Sequence, residues 1–193
     1  MSEKDAVDAR LFESLTSLVR EQPIDRISVL DITHRAGVSR STFYRYYYDK
    51  YQLVNARYDH ALDRTLYRFS VDLSWRDATG AIYDEIKSDL PYYQNALSSQ
   101  DTNSLRNHIF RISKVFHLSV LERNRVDIRN WKVERVMDSY IYGNLEVMCL
   151  WIKAGMVEPI PEMQDVLDMG IPQPFAPFFI QPSSHGARQS IPA

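Results

Sequence analysis

The residues best suited to bind a ligand lie in one short stretch, RSTFYRYYYDKYQLV, which spans residues 40–54. It combines five tyrosines and one phenylalanine with three basic residues. Rings in this setting could form a core or a surface on which bases stack, whereas hydroxyls and cations could bind phosphates. Residues 26–50 include five basic and two acidic side chains, although the whole chain has a net charge of −2. A local positive surface on a near-neutral body fits a nucleic-acid reader that makes few contacts.

Enzyme chemistry finds little support in the rest of the chain. The five histidines show neither the HExxH pattern nor another paired metal-ligand spacing. A glycine-rich phosphate loop and a nucleophile elbow are also missing. We therefore expect no catalytic residue, no metal site and no cofactor. The single cysteine and the lack of a signal peptide or an apolar run of ~20 residues predict a cytoplasmic protein with no membrane partner.

The helix that precedes the aromatic stretch has complete start and stop signals. Ser28 and Asp31, three residues apart, form a pair like a capping box. Gly37 permits the left-handed turn that ends this helix. An earlier helix over about residues 4–21 ends before a proline.

A third and a fourth helix follow without a long loop. Ser39 is placed to cap the third helix, two residues after Gly37, and Asp49 with Gln52 is placed to cap the fourth. Three short helices with a tight turn between the second and the third predict a helix-turn-helix domain over residues 1–50. The fourth helix, over about residues 49–72, is long enough to connect this domain to the rest of the chain.

Residues 73–170 predict a separate all-helical body, because apolar residues recur there at helical spacing. One helix is interrupted at Pro91, and Asp101 is placed to cap the next. A further helix has the strongest apolar stripe, and a short amphipathic helix over about residues 161–169 follows it. The stripe consists of Val133, Met137, Ile141, Asn144, Met148 and Trp151 or Ile152. This pattern, with Gly143 permitting close approach, indicates either an internal core or a subunit interface.

The proline-rich tail, residues 171–193, cannot form regular structure. We expect its end to be disordered. Three of its phenylalanines, Phe175, Phe178 and Phe179, are expected to dock on the helical body.

The helix-turn-helix residues resemble those of the TetR family of transcriptional regulators. The match covers roughly residues 7–56. Its positions are Val29, Asp31, Ile32, Ala36, Gly37, Val38, Ser39, Ser41, Thr42, Phe43, Tyr44, Tyr47, Lys50 and Leu53. The later segments LPYYQNALSSQDTNSL and YIYGNLEVMCLWIKAGMVEPIPEM are similar to those of the TetR subgroup that includes regulators and a coactivator of dihydroxyacetone kinase operons.

This resemblance implies that the third helix enters the major groove of DNA, with its N-terminal residues at the base edges. Arg40, Ser41 and Thr42 occupy those positions here. An arginine can bond the O6 and N7 atoms of guanine together, and serine or threonine can serve several bases.

The same resemblance implies further DNA contacts around this helix. Tyr44 is expected to contact a phosphate or a base, Tyr46 to make a contact at the helix end, and Lys50 to clamp a phosphate. Ser28 is expected to bond a phosphate from the other side of the groove. Arg45 is included among the DNA contacts, with a solvated charge as the alternative.

The other rings of the stretch have different expected roles. Phe43 and Tyr47 are one helical turn apart and are assigned to the core. Tyr51 is expected to pack against the connecting helix, and Tyr48 has no assigned role. Helical spacing distributes these rings around the axis, which argues against a stacking surface for single strands.

As a TetR-type protein, the chain is expected to be a homodimer that reads a palindromic operator in double-stranded DNA. It is expected to be a repressor modulated by a small-molecule effector in its C-terminal domain. The aromatic and polar residues Tyr92, Tyr93, Phe116, His117 and Tyr140 are interpreted as core, so no effector site is assigned. The alternative is a coactivator whose C-terminal domain binds a protein partner such as an enzyme subunit.

Overall fold

The structure is a computed structural model that describes residues 3–180. These residues form α-helices and short 3-10 turns with no strand among them, which confirms the predicted all-α class. None of these helices is long and apolar enough to cross a membrane. In chain order the helices are α1 (Glu3–Glu21), α2 (Val29–Ala36), α3 (Arg40–Tyr46), α4 (Lys50–Arg64), α5 (Trp75–Ser88), α6 (Leu90–Ala96), α7 (Leu105–Arg123), α8 (Trp131–Lys153) and α9 (Ile160–Met169).

Helices α1 to α3 form the predicted helix-turn-helix unit. Ser28 and Asp31 complete a reciprocal capping box: Ser28 Oγ accepts from the Asp31 amide at 3.1 Å, and the Asp31 carboxylate accepts from the Ser28 amide at 2.8 Å. Gly37 has a φ of 59°, in the left-handed region. Ser39 Oγ accepts from the Thr42 amide at 3.0 Å and so begins α3. Each of these local features agrees with the sequence prediction.

One hydrophobic core runs through the helix-turn-helix unit into the helices that follow it. Helix α1 packs against both α2 and α6. The predicted division of the chain near residues 50 and 73 stays a prediction, because the two predicted parts share this apolar packing. Buried members of the core include Leu11, Leu15, Ile32, Phe43, Leu53, Val54, Ile86, Tyr93, Ile152 and Leu167.

Helix α4 ends at Arg64, earlier than the connecting helix over residues 49–72 that the sequence predicts. Thr65 departs from helical geometry, with φ −128° and ψ −93°, and its hydroxyl donates to a carbonyl one turn earlier at 2.7 Å. A 3-10 turn, Leu66–Arg68, then carries Phe69 into a second apolar cluster. The helical spacing continued past the true helix end because this turn keeps Phe69 on the buried side.

Two further predictions concern the starts of helices in the body. The interruption predicted at Pro91 is a break at Asp89, between α5 and α6. Asp101 does not cap α7 as expected: its carboxylate accepts from the amide of Asn103 at 2.7 Å, and α7 begins after Ser104. An aspartate side chain bonds whichever amide its own turn brings within reach, so its position marks a turn and not the first residue of a helix.

The apolar stripe of α8 is internal core in the structure. Met137, Ile141 and Ile152 are at most 3% exposed. The stripe therefore packs inside the protomer, and any subunit contact of α8 has to use another face of the helix.

The second apolar cluster receives the start of the proline-rich tail, as predicted. The Phe179 ring stacks on Phe69 with 6.2 Å between centroids and meets Trp75 edge-on at 5.1 Å. Phe175 and Phe178 are partly buried against the same cluster. Residues 181–193, for which disorder is predicted, lie outside the described residues.

Candidate nucleic-acid interface

The buried face of α3 attaches this helix firmly to α1. Phe43 is fully buried, and Tyr47 is buried just beyond the helix end. The Tyr47 hydroxyl donates to Asp8 Oδ1 at 2.6 Å, and Lys4 Nζ binds the other oxygen of that carboxylate at 2.5 Å. Burial, and then the bond to Asp8, raise the pKa of Tyr47 well above its usual value. These contacts support the core roles of Phe43 and Tyr47 and fix the orientation of the opposite face.

The opposite face of α3 is open to solvent. Arg40 and Ser41 are exposed at its start, and Tyr44 is 49% exposed one turn later. The Arg40 guanidinium lies 5.9 Å from the centre of the Tyr44 ring and has no ion pair within residues 3–180. All five guanidinium donors are therefore available to a base edge or a phosphate.

The hydroxyl groups at the start of α3 are ordered by one another. Ser39 Oγ lies 2.8 Å from Ser41 Oγ and 2.8 Å from Thr42 Oγ1. The hydroxyl of Ser28, at the start of α2, is exposed but donates to Asp31 Oδ2 at 2.6 Å. A phosphate contact from Ser28 would have to replace that bond, whereas Ser41 and Thr42 exchange bonds only with other hydroxyls.

Arg45 and Tyr46 lie at the end of α3 beside α1. Arg45 Nη1 is 3.2 Å from Glu3 Oε1, and both side chains are more than half exposed. An ion pair this exposed contributes little and is easily exchanged for a phosphate. The half-buried Tyr46 ring lies between two cations, with Arg45 at 5.7 Å and Lys4 at 6.0 Å from its centre.

Lys50 does not extend toward a ligand as the sequence prediction required. Its Nζ donates to the carbonyl oxygens of Ile24, Asp25 and Ile27, each at 2.8 Å. An ammonium has three donors and all three are used here. Burial lowers the pKa of Lys50. Lys50 therefore ties the start of α4 to the α1–α2 turn, and the expected phosphate clamp is corrected to this structural role.

The positive surface is smaller than the sequence count suggests. Arg35 Nη1 is 2.5 Å from Glu21 Oε1, and this bond lowers the pKa of Glu21 and raises that of Arg35. Lys50 is internal. Arg26 and Arg40 are exposed and have no ion pair in the part of the chain that the structure describes. Specific contacts of Arg40, with a few neighbouring cations, therefore dominate over a broad positive field.

Comparisons with protein families agree with this arrangement. Residues 12–56 match the model described as bacterial regulatory proteins of the tetR family, and residues 74–171 match the model described as a transcriptional regulator C-terminal region. The second match alone spans half of the chain. This chain belongs to the TetR family of transcriptional regulators. Members of this family are DNA-binding regulators and not enzymes, which confirms both expectations.

Two solved structures share the fold of this TetR-family chain. One is titled "Dihydroxyacetone kinase operon activator DhaS", with a TM-score of 0.59 and 14% identity over 86% of this chain and 96% of that one. The other, a TetR transcriptional regulator from Rhodococcus sp. RHA1, has a TM-score of 0.54 and 18% identity over 88% of this chain and 95% of that one. A comparison with curated protein sequences finds no match.

Polar contacts that the sequence did not reveal connect the TetR-type reading head to the body. Asn95 on α6 accepts from the Ile24 amide at 2.8 Å and donates to the carbonyls of Val19 and Gln22 at 2.6 and 2.9 Å. Its amide thus links the end of α1 to the turn before α2. Asparagine in a helix has no distinguishing pattern, so this role was visible only in three dimensions.

Two more side chains support the same junction. The Tyr51 hydroxyl donates to Asp25 Oδ1 at 2.8 Å and accepts from Ser99 Oγ at 3.4 Å. Tyr51 thus joins the α1–α2 turn to the segment after α6 in addition to packing on α4. Arg10 of α1 donates to the carbonyls of Ala36 and Gly37, where α2 ends. Arg10 was not among the expected functional residues because its bonding partners are backbone atoms distant in sequence.

The outer face of α8 is apolar and exposed in this TetR-family protomer. Val136, Val147 and Leu150 are 42%, 37% and 56% exposed and share one side of the helix with Gly143. A Cβ atom added at Gly143 would meet no described atom within 4 Å. A second helix can therefore approach this face closely.

Proposed function

We propose that this TetR-family regulator reads its operator with the first turn of α3. The exposed and unpaired guanidinium of Arg40, on a helix fixed by Phe43 and Tyr47, is the observation that carries the proposal. Arg40 is assigned to a guanine edge in the major groove, and Ser41 and Thr42 to neighbouring bases. A helix held on its rear face can present these donors without an entropic cost for ordering the backbone.

The surrounding residues are assigned to position α3 in the groove. Tyr44 contacts a phosphate or a base beside Arg40, while Arg45 and Tyr46 reach the backbone at the helix end. Ser28 contacts the backbone on the other side by exchanging its bond to Asp31. Backbone contacts of this kind fix register and orientation, and base contacts supply the specificity.

The reading unit is proposed to be a homodimer on a palindromic DNA site. Dimerisation is typical of the family, and the outer face of α8 supplies an apolar surface for it. Two recognition helices related by a twofold axis would lie about 34–36 Å apart or somewhat more to enter successive major grooves. The two half-sites of the operator would then have the same sequence in opposite directions.

The regulatory effect is proposed to be repression that a small molecule in the body modulates, within the cytoplasm. A ligand changes this equilibrium only if it binds one arrangement of the two reading heads better than another. The junction through Asn95 and Tyr51 supports such coupling, because a shift of α6 moves the α1–α2 turn directly.

A second candidate is activation through a protein partner bound by the C-terminal body. It is favoured by the shared fold with the structure titled "Dihydroxyacetone kinase operon activator DhaS". The two candidates differ in what protects DNA. A ligand-responsive repressor protects its site alone, whereas a coactivator of the second kind protects it only with the partner present.

A selection of binding sites from random duplex DNA, followed by footprinting with purified protein, tests the proposal. We expect a palindrome with a guanine in each half-site. Arg40→Ala should lose the preference at that base pair, about 10-fold or more per half-site. Arg35→Ala is the matched control, because Arg35 is an exposed arginine that is already paired with Glu21. Equal loss in both variants would contradict the assignment of Arg40.

A further inference from the structure

A cavity of about 90 Å³ lies inside the body, between α4, α5, α7, α8 and α9. A single water needs only about 10–15 Å³ of such volume. The cavity therefore has room for a compact molecule of several heavy atoms. Its walls are mostly aromatic and aliphatic and include Tyr58, Trp75, Ile82, Tyr83, Ile109, Tyr140, Met148 and Leu167.

His117 on α7 lines this cavity and has one nitrogen without a partner. Nδ1 lies 2.7 Å from the carbonyl oxygen of Ser113, which can only accept, so Nδ1 carries the proton. Nε2 is then an acceptor. It is buried and has no hydrogen-bond partner among residues 3–180. Burial lowers the pKa of His117 to about 4, so the ring is neutral near pH 7.

The other polar groups of the cavity wall are already occupied. Gln164 Nε2 donates to the Arg76 carbonyl and to Thr79 Oγ1, both at 2.7 Å. Asp168 Oδ1 accepts from Trp75 Nε1 at 2.7 Å, and its other oxygen is 4.0 Å from Arg76. His117 Nε2 is therefore the buried acceptor that the protein itself leaves unpaired in this wall.

The charges around the cavity restrict the ligand to an uncharged molecule. Neither lysine nor arginine lines it, so an anion would lose its hydration without a counter-charge. Its single carboxylate, Asp168, is bound by Trp75 and Arg76, so a cation would also lack a free partner. The rings around His117 are close enough to enclose a flat molecule, with centroids 5.8 Å away at Trp75 and 5.5 Å away at Tyr140.

We propose that this cavity binds a small uncharged aromatic alcohol of the size of phenol, whose hydroxyl donates to His117 Nε2. The ring fills the aromatic part of the cavity, and the single donor meets the single unpaired acceptor. The link from this site to operator binding rests on the proposed function, whereas binding itself does not. Tyr58 of α4 lines the cavity, and the same helix holds the α1–α2 turn through Lys50, so a ligand here contacts the element that supports the reading head.

Isothermal titration of the purified full chain, without DNA, tests the site. Phenol is the probe, and anisole, which has a similar ring and an oxygen that cannot donate, is its matched control. We expect phenol to bind about 10-fold more tightly than anisole, which corresponds to one net hydrogen bond to a buried acceptor. Equal affinities would overturn the role of the donor.

Variants place the probe at His117. His117→Leu should lower phenol affinity to the level of anisole and leave anisole little changed. Tyr92→Phe is the matched control, because the Tyr92 hydroxyl is also buried and unpartnered but belongs to α6, outside this cavity. Undiminished phenol binding by His117→Leu would overturn the location. If that variant does not fold, a structure of the native protein with phenol decides: a phenol oxygen within about 3.2 Å of Nε2 supports the site, and phenol elsewhere or a water only overturns it.

The operator assay is separate from these titrations. Phenol binding that leaves operator affinity unchanged would refute regulation through this cavity and not the site. Loss of DNA binding in every preparation would refute the proposed operator contacts and leave the titrations valid.

Discussion

Replacing Lys50 separates a structural lysine from one that contacts DNA. Lys50→Met keeps the aliphatic stem and removes the three bonds to the carbonyls of Ile24, Asp25 and Ile27. The Ile24 carbonyl keeps a bond from the Ile27 amide, so two carbonyls lose their main partner. Because the site is partly exposed and water can replace some of the loss, we expect a destabilisation of about 2 kcal/mol.

Two measurements distinguish the roles. Thermal unfolding should show a melting temperature lower by about 4–8 °C in Lys50→Met, as expected for 2 kcal/mol in a chain of this size. The slope of log affinity against log salt for an operator duplex should not change below the melting temperature. A lost phosphate contact would instead reduce that slope by about 0.9 for each site.

Lys153→Met is the matched control, since Lys153 is an exposed lysine at the end of α8. It should change neither measurement. A Lys50→Met protein with native stability and a shallower salt slope would refute the structural assignment and restore the phosphate clamp.

The remaining predictions concern the body, the subunit contact and the junction. The pKa of His117 is lowered to about 4 in the folded chain, so between that pH and about 6.5 the unfolded chain binds a proton that the native chain does not, and stability falls as the pH falls. His117→Leu should remove about 3 kcal/mol of this acid sensitivity, measured by urea unfolding at pH 7 and pH 4. Gly143→Arg should convert the dimer to a folded monomer in light scattering, and a dimer that persists would exclude the outer face of α8 as the interface. Asn95→Ala should cost about 2–3 kcal/mol in urea unfolding and speed amide exchange in the α1–α2 turn, whereas unchanged exchange there would contradict its role.

Much of the reading head could be predicted from sequence because its determinants are local. A cap such as Ser28 with Asp31, or the left-handed Gly37, depends on atoms within four residues, so the residue types and their spacing suffice. The placement of Phe43 and Tyr47 follows from helical periodicity in the same way.

The junction and the cavity could not be predicted because their determinants are tertiary. The partners of Lys50 lie more than 20 residues earlier in the chain, and those of Asn95 more than 70 residues earlier. His117 reads as an ordinary core residue in sequence, and only the folded neighbours show that Nδ1 is satisfied while Nε2 is not. The end of α4 was missed for the related reason that a 3-10 turn preserved the apolar spacing.

The core shared between the reading head and the body has a consequence for hybrid regulators. A chimera that joins residues 1–50 to the body of another relative would place Leu11 and Leu15 against an α6 that was selected for a different α1. The donated segment would also lose Asn95 and Asp89, the second of which binds Arg20 at 3.0 Å and Arg57 at 2.7 Å. An exchange of DNA specificity should therefore transplant α6 together with the reading head, or alter only the exposed side chains of α3.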